Sequence, residues 1–426
     1  MRNRVHASRQ CCFSSSVGFV PTIESLEGRL LLAGTPAIVY SGPIVITSGG
    51  TYSGHWQSNN PNVAAVTIRT TAPVIINHSN IQSKGDLIDT GVSGVNLTVE
   101  NTSGYGLNPG VAGDSPGRFL DAESFNNIVV ENNYLQSTAG IYLLSYQGND
   151  TASNTVKILN NQVLNIDGRK SDGAGGWLNY NERTPISGGP TQDGYNDAQF
   201  VQLGNLYSVP GIEIAWNQVI NQPGNSRVED NINIYDSSGT SSSPILIHDN
   251  YIQGAYTIKP WQGDTSDGTY NYDWTYSGGG ILLGDGGTTT LSQASGYVQA
   301  YNNVVVSTTN YGIAIAAGHD EIFYNNIIIS SGLLPDGQTI YGQNVGAYIW
   351  NGYQTPGSIF FNDSGYGNVV GWVQAGDTWN DWWASDAISW TNNTHFSGAI
   401  TLATEGAQLA SWQNELATSL LTIGPL

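Results

Sequence analysis

The sequence predicts an all-β chain folded as a parallel solenoid, and three observations carry that prediction. A hydrophobic–x–hydrophobic–x–Asn–hydrophobic motif recurs as IVVENNYL (128–135), VKILNNQV (156–163), IEIAWNQV (212–219), ILIHDNYI (245–252), VQAYNNVV (298–305) and EIFYNNII (321–328). Each copy alternates like a half-buried strand, then places an Asn where the chain must turn: Asn133, Asn161, Asn217, Asn250, Asn303 and Asn326. Short apolar-alternating runs also begin near Phe119, Ile141, Phe200, Ile232, Ile281, Ile313 and Ala347, and one Asn falls in each interval between them. One strand and one Asn motif per repeat is the pattern of stacked coils, and the uneven spacing of 28, 56, 33, 53 and 23 residues means that coils carry insertions. Composition agrees: 53 glycines among 426 residues, with 11% charged and 10% aromatic, suit stacked strands with uncharged polar ladders.

In chain order, residues 1–36 stand apart. Arg2, Arg4 and Arg9 make the start basic, and Leu30-Leu31-Leu32 is an apolar patch shorter than a signal-peptide core. Residues 37–400 form the solenoid domain, opening with strand-like IVIT (44–47), VTIRT (66–70), VIINHSNI (74–81) and LTVENT (97–102). Residues 401–426 are expected to be a helical cap. Leu409, Trp412, Leu416 and Leu420 share one face of a helix that would cover the open end of the last coil.

A net charge of −20 disfavours nucleic acid and anionic membranes as partners. No run approaches the roughly 18 apolar residues of a membrane span, so no insertion is expected. Cys11 and Cys12 are the two cysteines, so the body of the chain holds no disulfide. A monomer is expected.

Ile23-Glu24-Ser25-Leu26-Glu27-Gly28-Arg29-Leu30-Leu31-Leu32-Ala33 resembles the LEPR-XLL segment near the start of many bacterial exported and surface proteins, with Gly28 in place of the usual Pro. That resemblance implies secretion or a cell-surface location. Over roughly residues 37–400 the chain resembles right-handed parallel β-helix proteins of the pectate-lyase-like type. GPIVITSGGTYSGHWQS and TEGAQLASWQ are similar to segments of secreted bacterial β-helix proteins. The resemblance implies a right-handed parallel β-helix with long loop insertions and a short C-terminal helix. It also implies a role in polysaccharide breakdown, by hydrolase or lyase chemistry. A fold does not fix a function.

The insertions point to a site. From each Asn to the next strand start the gaps are 8, 39, 15, 31, 10 and 21 residues, so the longest loops, 167–198 and 255–279, leave the same side two coils apart. They should wall the strand that starts at Ile232. The loops offer Trp177, Arg183, Lys259, Trp261, Tyr272 and Trp274, and the strand face offers Tyr235 and Trp350. Aromatic faces beside polar groups suit a sugar-binding cleft, although the same rings can pack a loop onto the solenoid.

Between the walls, counting four residues from Ile232 and Ile281 gives Asp236 and Asp285, which equal register would stack about 4.8 Å apart. Paired carboxylates fit a glycosidase, or calcium with Asp236 and Asp285 as ligands; both also read as turn residues capped by their own side chains. His319 and Asp320 are expected to end the next strand and assist, as is Lys259. No signature of pectate lyases, alginate lyases or polygalacturonases maps position by position. The resulting expectation is a polysaccharide-acting protein. A glycoside hydrolase needing no cofactor leads, ahead of a uronate lyase and a non-catalytic carbohydrate-binding or surface protein.

Overall fold

The computed structural model describes residues 38–149, 155–178, 195–257, 260–261, 278–341, 343–375 and 378–426. The leader, Lys259, Arg183, Tyr272 and Trp274 lie outside the described residues. Among the described residues, three long sheets of 11, 11 and 12 strands run through Tyr40–Leu426, and strands pair with their counterparts one coil away. Every sheet pairing among the described residues is parallel except that of Val369–Gln374 with Thr378–Trp379. This is a parallel β-helix.

The seven predicted strand starts all belong to one sheet, the first. It runs from Ile44–Ile46 through Leu120–Ala122, Ile141–Leu144, Val201–Gly204, Ile232–Tyr235, Ile281–Asp285, Tyr311–Ile315 and Val345–Ile349 to Trp382–Trp383. The apolar half of each Asn motif forms the second sheet, and the residues after the Asn form the third. Inward rows such as Ile141, Val201, Ile232, Ile281 and Ile313 are fully buried and stack in register, giving one continuous apolar core. Burying each such side chain contributes about 1.5–3 kcal/mol.

The Asn ladder fixes the turn between the second and third sheets. Asn161 Nδ2 donates to Asn217 Oδ1 at 2.9 Å and to Val130 O at 3.0 Å, and its main-chain N–H donates to the same Asn217 oxygen at 3.0 Å. The pattern repeats from Asn133 to Asn326 and continues beyond the predicted set to Asn368 and Asn393. The residue before each ladder Asn takes a left-handed conformation: Asn132, Asn160, Asp249, Asn302, Asn325 and Asn392 have φ between 54° and 56°. Asn and Asp tolerate that region better than other non-glycine residues, which explains the Asn-Asn doublets. Trp216, at φ 58°, is the outlier, its side chain packed beneath the C-terminal segment.

The C-terminal helix, α1 (Leu402–Thr418), is present, but it does not cap the last coil. It lies along the outer face of the third sheet. Glu405 Oε1 accepts from Ser307 Oγ at 2.7 Å, and Trp412 Nε1 donates to Asp249 O at 2.8 Å. Further back along the solenoid, Gly424 N donates to Asn160 O at 2.9 Å. The physical reason is an apolar strip on that face, Tyr251, Val304, Val306, Ile329 and Val373, which Trp412 and Leu416 cover. Leu409 packs at its margin, whereas Leu420 lies beyond the helix and is exposed, its apolar place taken by Leu421.

Candidate functional site

The two long loops leave turns between the third and first sheets, two coils apart. The root of the first is held by Asp167 and Arg169: the carboxylate pairs with the guanidinium at 2.7 Å, and the guanidinium also bonds Gly224 O. Trp177 covers that guanidinium at 4.4 Å, so it packs its own loop. Trp261 packs against Tyr256, Leu334 and Ile340 and approaches Gly224 from the other side. Both tryptophans therefore belong to loop roots flanking the turn before Ile232.

On the outer face of the first sheet, register runs Asp121, Tyr142, Gln202, Asn233, Leu282, Ala314 and Tyr348. Asp236 and Asp285 meet here, but not as register mates. A bulge between Asn233 and Tyr235 pairs Tyr235 with Asp285. Asp236 falls in the turn column of Ser145, Asn205 and Gly286, all at positive φ. Equal counting failed because one extra residue enters the strand of Asp285. Gly286 is required at its place, since its φ is 101° and a Cβ would stand 2.2 Å from Asp236 Oδ1.

The two carboxyls occupy different environments. Asp285 accepts from Asn233 Nδ2 at 2.9 Å, from Gly286 N at 2.8 Å and from the Tyr353 hydroxyl. Asp236 buries Oδ1 without a hydrogen-bond partner, and burial together with the nearby Asp285 charge raises its pKa to about 6. Exposed aromatic rings border the pair: Tyr235, Tyr207, Tyr353 and, two coils beyond Asp285, Trp350.

A hydrogen-bond chain absent from the sequence reading supports Asp285. The Tyr311 hydroxyl and Gly279 N donate to Asp230 Oδ1, and Asn233 Nδ2 donates to both Asp230 Oδ2 at 3.2 Å and Asp285. Gln199 Nε2 donates to Glu229 beside it at 2.7 Å. Burial raises the pKa of both Glu229 and Asp230, with neighbouring carboxylates adding to it. The available signal was the Gly278-Gly279-Gly280 run: a Cβ on Gly279 would sit 2.3 Å from the Tyr311 ring, and one on Gly278 would meet Glu229 O. Without an alignment of coils, that triplet reads only as a turn.

His319 and Asp320 are not part of this site. They begin a second-sheet strand, His319–Tyr324, rather than ending a first-sheet one. The His319 ring stacks on Phe361 at 4.9 Å and bonds Asp320 at 2.8 Å, while Asp320 accepts from Asn362. Among the described residues, no cluster of three or more His, Cys, Asp or Glu offers a metal site.

No family model and no curated protein matches the chain. Among solved structures it is similar to a mannuronic acid specific polysaccharide family 6 lyase from human gut microbiota. Identity is 12%, with 91% of this chain and 90% of that one covered at a TM-score of 0.32. A likeness this distant says nothing of the chemistry here.

Proposed function

We propose that the protein is a glycoside hydrolase acting on a polysaccharide, with Asp236 as general acid and Asp285 as base or nucleophile. The observation that carries this reading is the unequal environment of the two carboxyls. Asp285 accepts hydrogen bonds from three donors that fix its orientation, while Asp236 has a buried oxygen without a partner and a pKa raised by burial and the Asp285 charge. Asp236 would protonate the glycosidic oxygen as the bond to the anomeric carbon breaks. Asp285 would attack that carbon or take a proton from the water that does. Tyr235, Tyr353 and Tyr207 supply ring faces for pyranose C–H surface.

Elimination is less well served. A tyrosine base needs a lowered pKa, yet burial and nearby carboxylates raise those of Tyr235, Tyr353 and Tyr311. The same carboxylates repel a uronate.

The full chain, incubated with neutral and uronate-bearing polysaccharides, should release new reducing ends without the ultraviolet absorbance of unsaturated uronates. Absorbance would establish the lyase reading instead. Binding without products, unchanged in the Asp236→Ala, Asp285→Ala double variant, would leave a carbohydrate-binding protein.

A further inference from the structure

The outer face of the first sheet has a second concavity, four strands back from Asp285 toward the N terminus. A pocket of about 600 Å3 opens between Asn62, Asp86, Asp114, Arg118, Asp121 and Asp197. Ligand sites commonly measure about 300–1,000 Å3. Its walls come from successive turns joining the third sheet to the first. Arg118 is its fixed post: its main-chain N–H donates to Asp86 Oδ1 at 2.7 Å, and its guanidinium to Ala139 O at 2.7 Å, Gln199 Oε1 at 3.3 Å and Asp197 O at 3.3 Å. The guanidinium also lies 5.3 Å over the Tyr142 ring, so these bonds turn it toward the protein.

Asp121, the outward residue of Leu120–Ala122, lines the pocket and buries Oδ1 without a hydrogen-bond partner. Burial, then the charge of Asp86, raises its pKa to about 7, so its carboxyl can donate or accept. A buried polar atom lacking a partner is costly unless a ligand or water satisfies it. The pocket is also continuous with the site already described. Gln199 bonds Arg118 on one side and Glu229 on the other, and Asp121, Tyr142, Gln202 and Asn233 are register neighbours.

We propose that this pocket is a distal sugar subsite, holding a neutral, hydroxyl-rich glycosyl unit of a chain laid along the solenoid axis over the first sheet. The proposal rests on the glycan-cleaving role of Asp236 and Asp285. Neutrality follows from the Asp86, Asp114 and Asp197 carboxylates around Asp121, which disfavour a uronate, with Arg118 engaged by protein oxygens. Four strand steps of about 4.8 Å separate pocket and site by about 19 Å, a distance that an oligosaccharide bridges and a disaccharide does not.

The test is calorimetric titration of the full chain with neutral oligosaccharides, dimers to octamers derived from glucan, xylan and mannan. Affinity should step up with length. Asn62→Trp, which fills the pocket from an exposed turn, should weaken octamer binding roughly tenfold and leave dimers unchanged. Asp121→Asn should shift octamer binding in the same direction, while Asp285→Ala should keep the length step. An Asn62→Trp variant with wild-type affinity at every length overturns the subsite, as does binding of Ca2+ alone that Asp121→Asn removes while octamers bind unchanged. Length-dependent binding that Asn62→Trp abolishes, with no cleavage of any glycan, keeps the subsite and removes the hydrolase reading. Cleavage whose length dependence survives Asn62→Trp does the reverse, and binding of none of the oligosaccharides overturns both.

Discussion

Asp236 lies beside Asp285 through its backbone: the main-chain N–H of Asp236 donates to Asp285 O at 3.0 Å, across a bulge that sets the two side chains in different columns. One carboxyl is thereby turned into a ring of donors and the other left without them. Equal register would have stacked two like charges in like surroundings, which cannot easily both ionise.

Asp236→Asn should lower kcat on a cleaved glycan by about 10²- to 10⁴-fold, the usual contribution of a positioned acid. In the wild type, kcat/KM should fall as pH rises through about 6, where Asp236 loses its proton. That alkaline limb should vanish from the variant's residual rate. A pH–rate profile with the limb intact in Asp236→Asn would remove Asp236 from the acid role.

Tyr353→Phe removes one donor to Asp285, and Asn233→Leu removes another while unhooking Asp230. Tyr353 is half exposed at 47%, so its loss should leave the unfolding midpoint nearly unchanged while lowering kcat on a cleaved glycan several-fold, because Asp285 loses a donor that orients it. Asn233 is buried, and its loss should cost about 1–3 kcal/mol in denaturant unfolding as well.

Glu321 and Asp363 replace apolar residues in an inward row of the second sheet, where Glu321 pairs with Val298 and that with Ile245. Both Glu321 carboxyl oxygens and Asp363 Oδ2 are buried without partners, though Asp363 Oδ1 accepts from Glu321 N at 3.1 Å. Burial raises both pKa values, that of Asp363 to about 8. Between the ordinary 3.8 and about 8, the folded Asp363 keeps a proton that the unfolded chain has released. Stability should therefore fall as pH rises through this window, by up to about 1.4 kcal/mol per pH unit for each group. The Glu321→Gln, Asp363→Asn double variant should flatten that slope in urea unfolding from pH 4 to 9. An unchanged slope would mean that the pair does not hold its protons.

Asn217→Ala strips the ladder at its middle. It leaves the Asn161 N–H and side-chain amide, together with Ile158 O, without their partner. Several buried groups at about 1–3 kcal/mol each should lower stability by about 3–5 kcal/mol. Asn393→Ala, at the half-buried end of the ladder, should cost about 1 kcal/mol. Equal losses at the two positions would contradict a cooperative ladder.

Much of the scaffold was legible because its signals are local. Strand alternation, Asn at the turn and an apolar helix face each sit within a few residues of one another. The site was less so. Asp236 and Asp285 were found by counting, but the bulge that separates their columns has no local signature. Tyr353 reaches Asp285 from two coils away, and Tyr311 reaches Asp230 over a glycine triplet. His319 starts a strand that the sequence reads as the end of the one before, because the turn between Tyr311–Ile315 and His319–Tyr324 is short.

The sequence by itself determined the coil, its Asn ladder, the side from which the long loops leave, and the existence of the C-terminal helix. Those follow from periodicity and turn chemistry, which act along the chain. Only the tertiary structure decided which face the helix covers and which carboxyl is left without partners. It also decided that the outer face of the first sheet joins Asp121 to Asp285 in one polar track. Those depend on residues brought together by coil stacking, where one extra residue in a strand shifts every side chain after it to a new column.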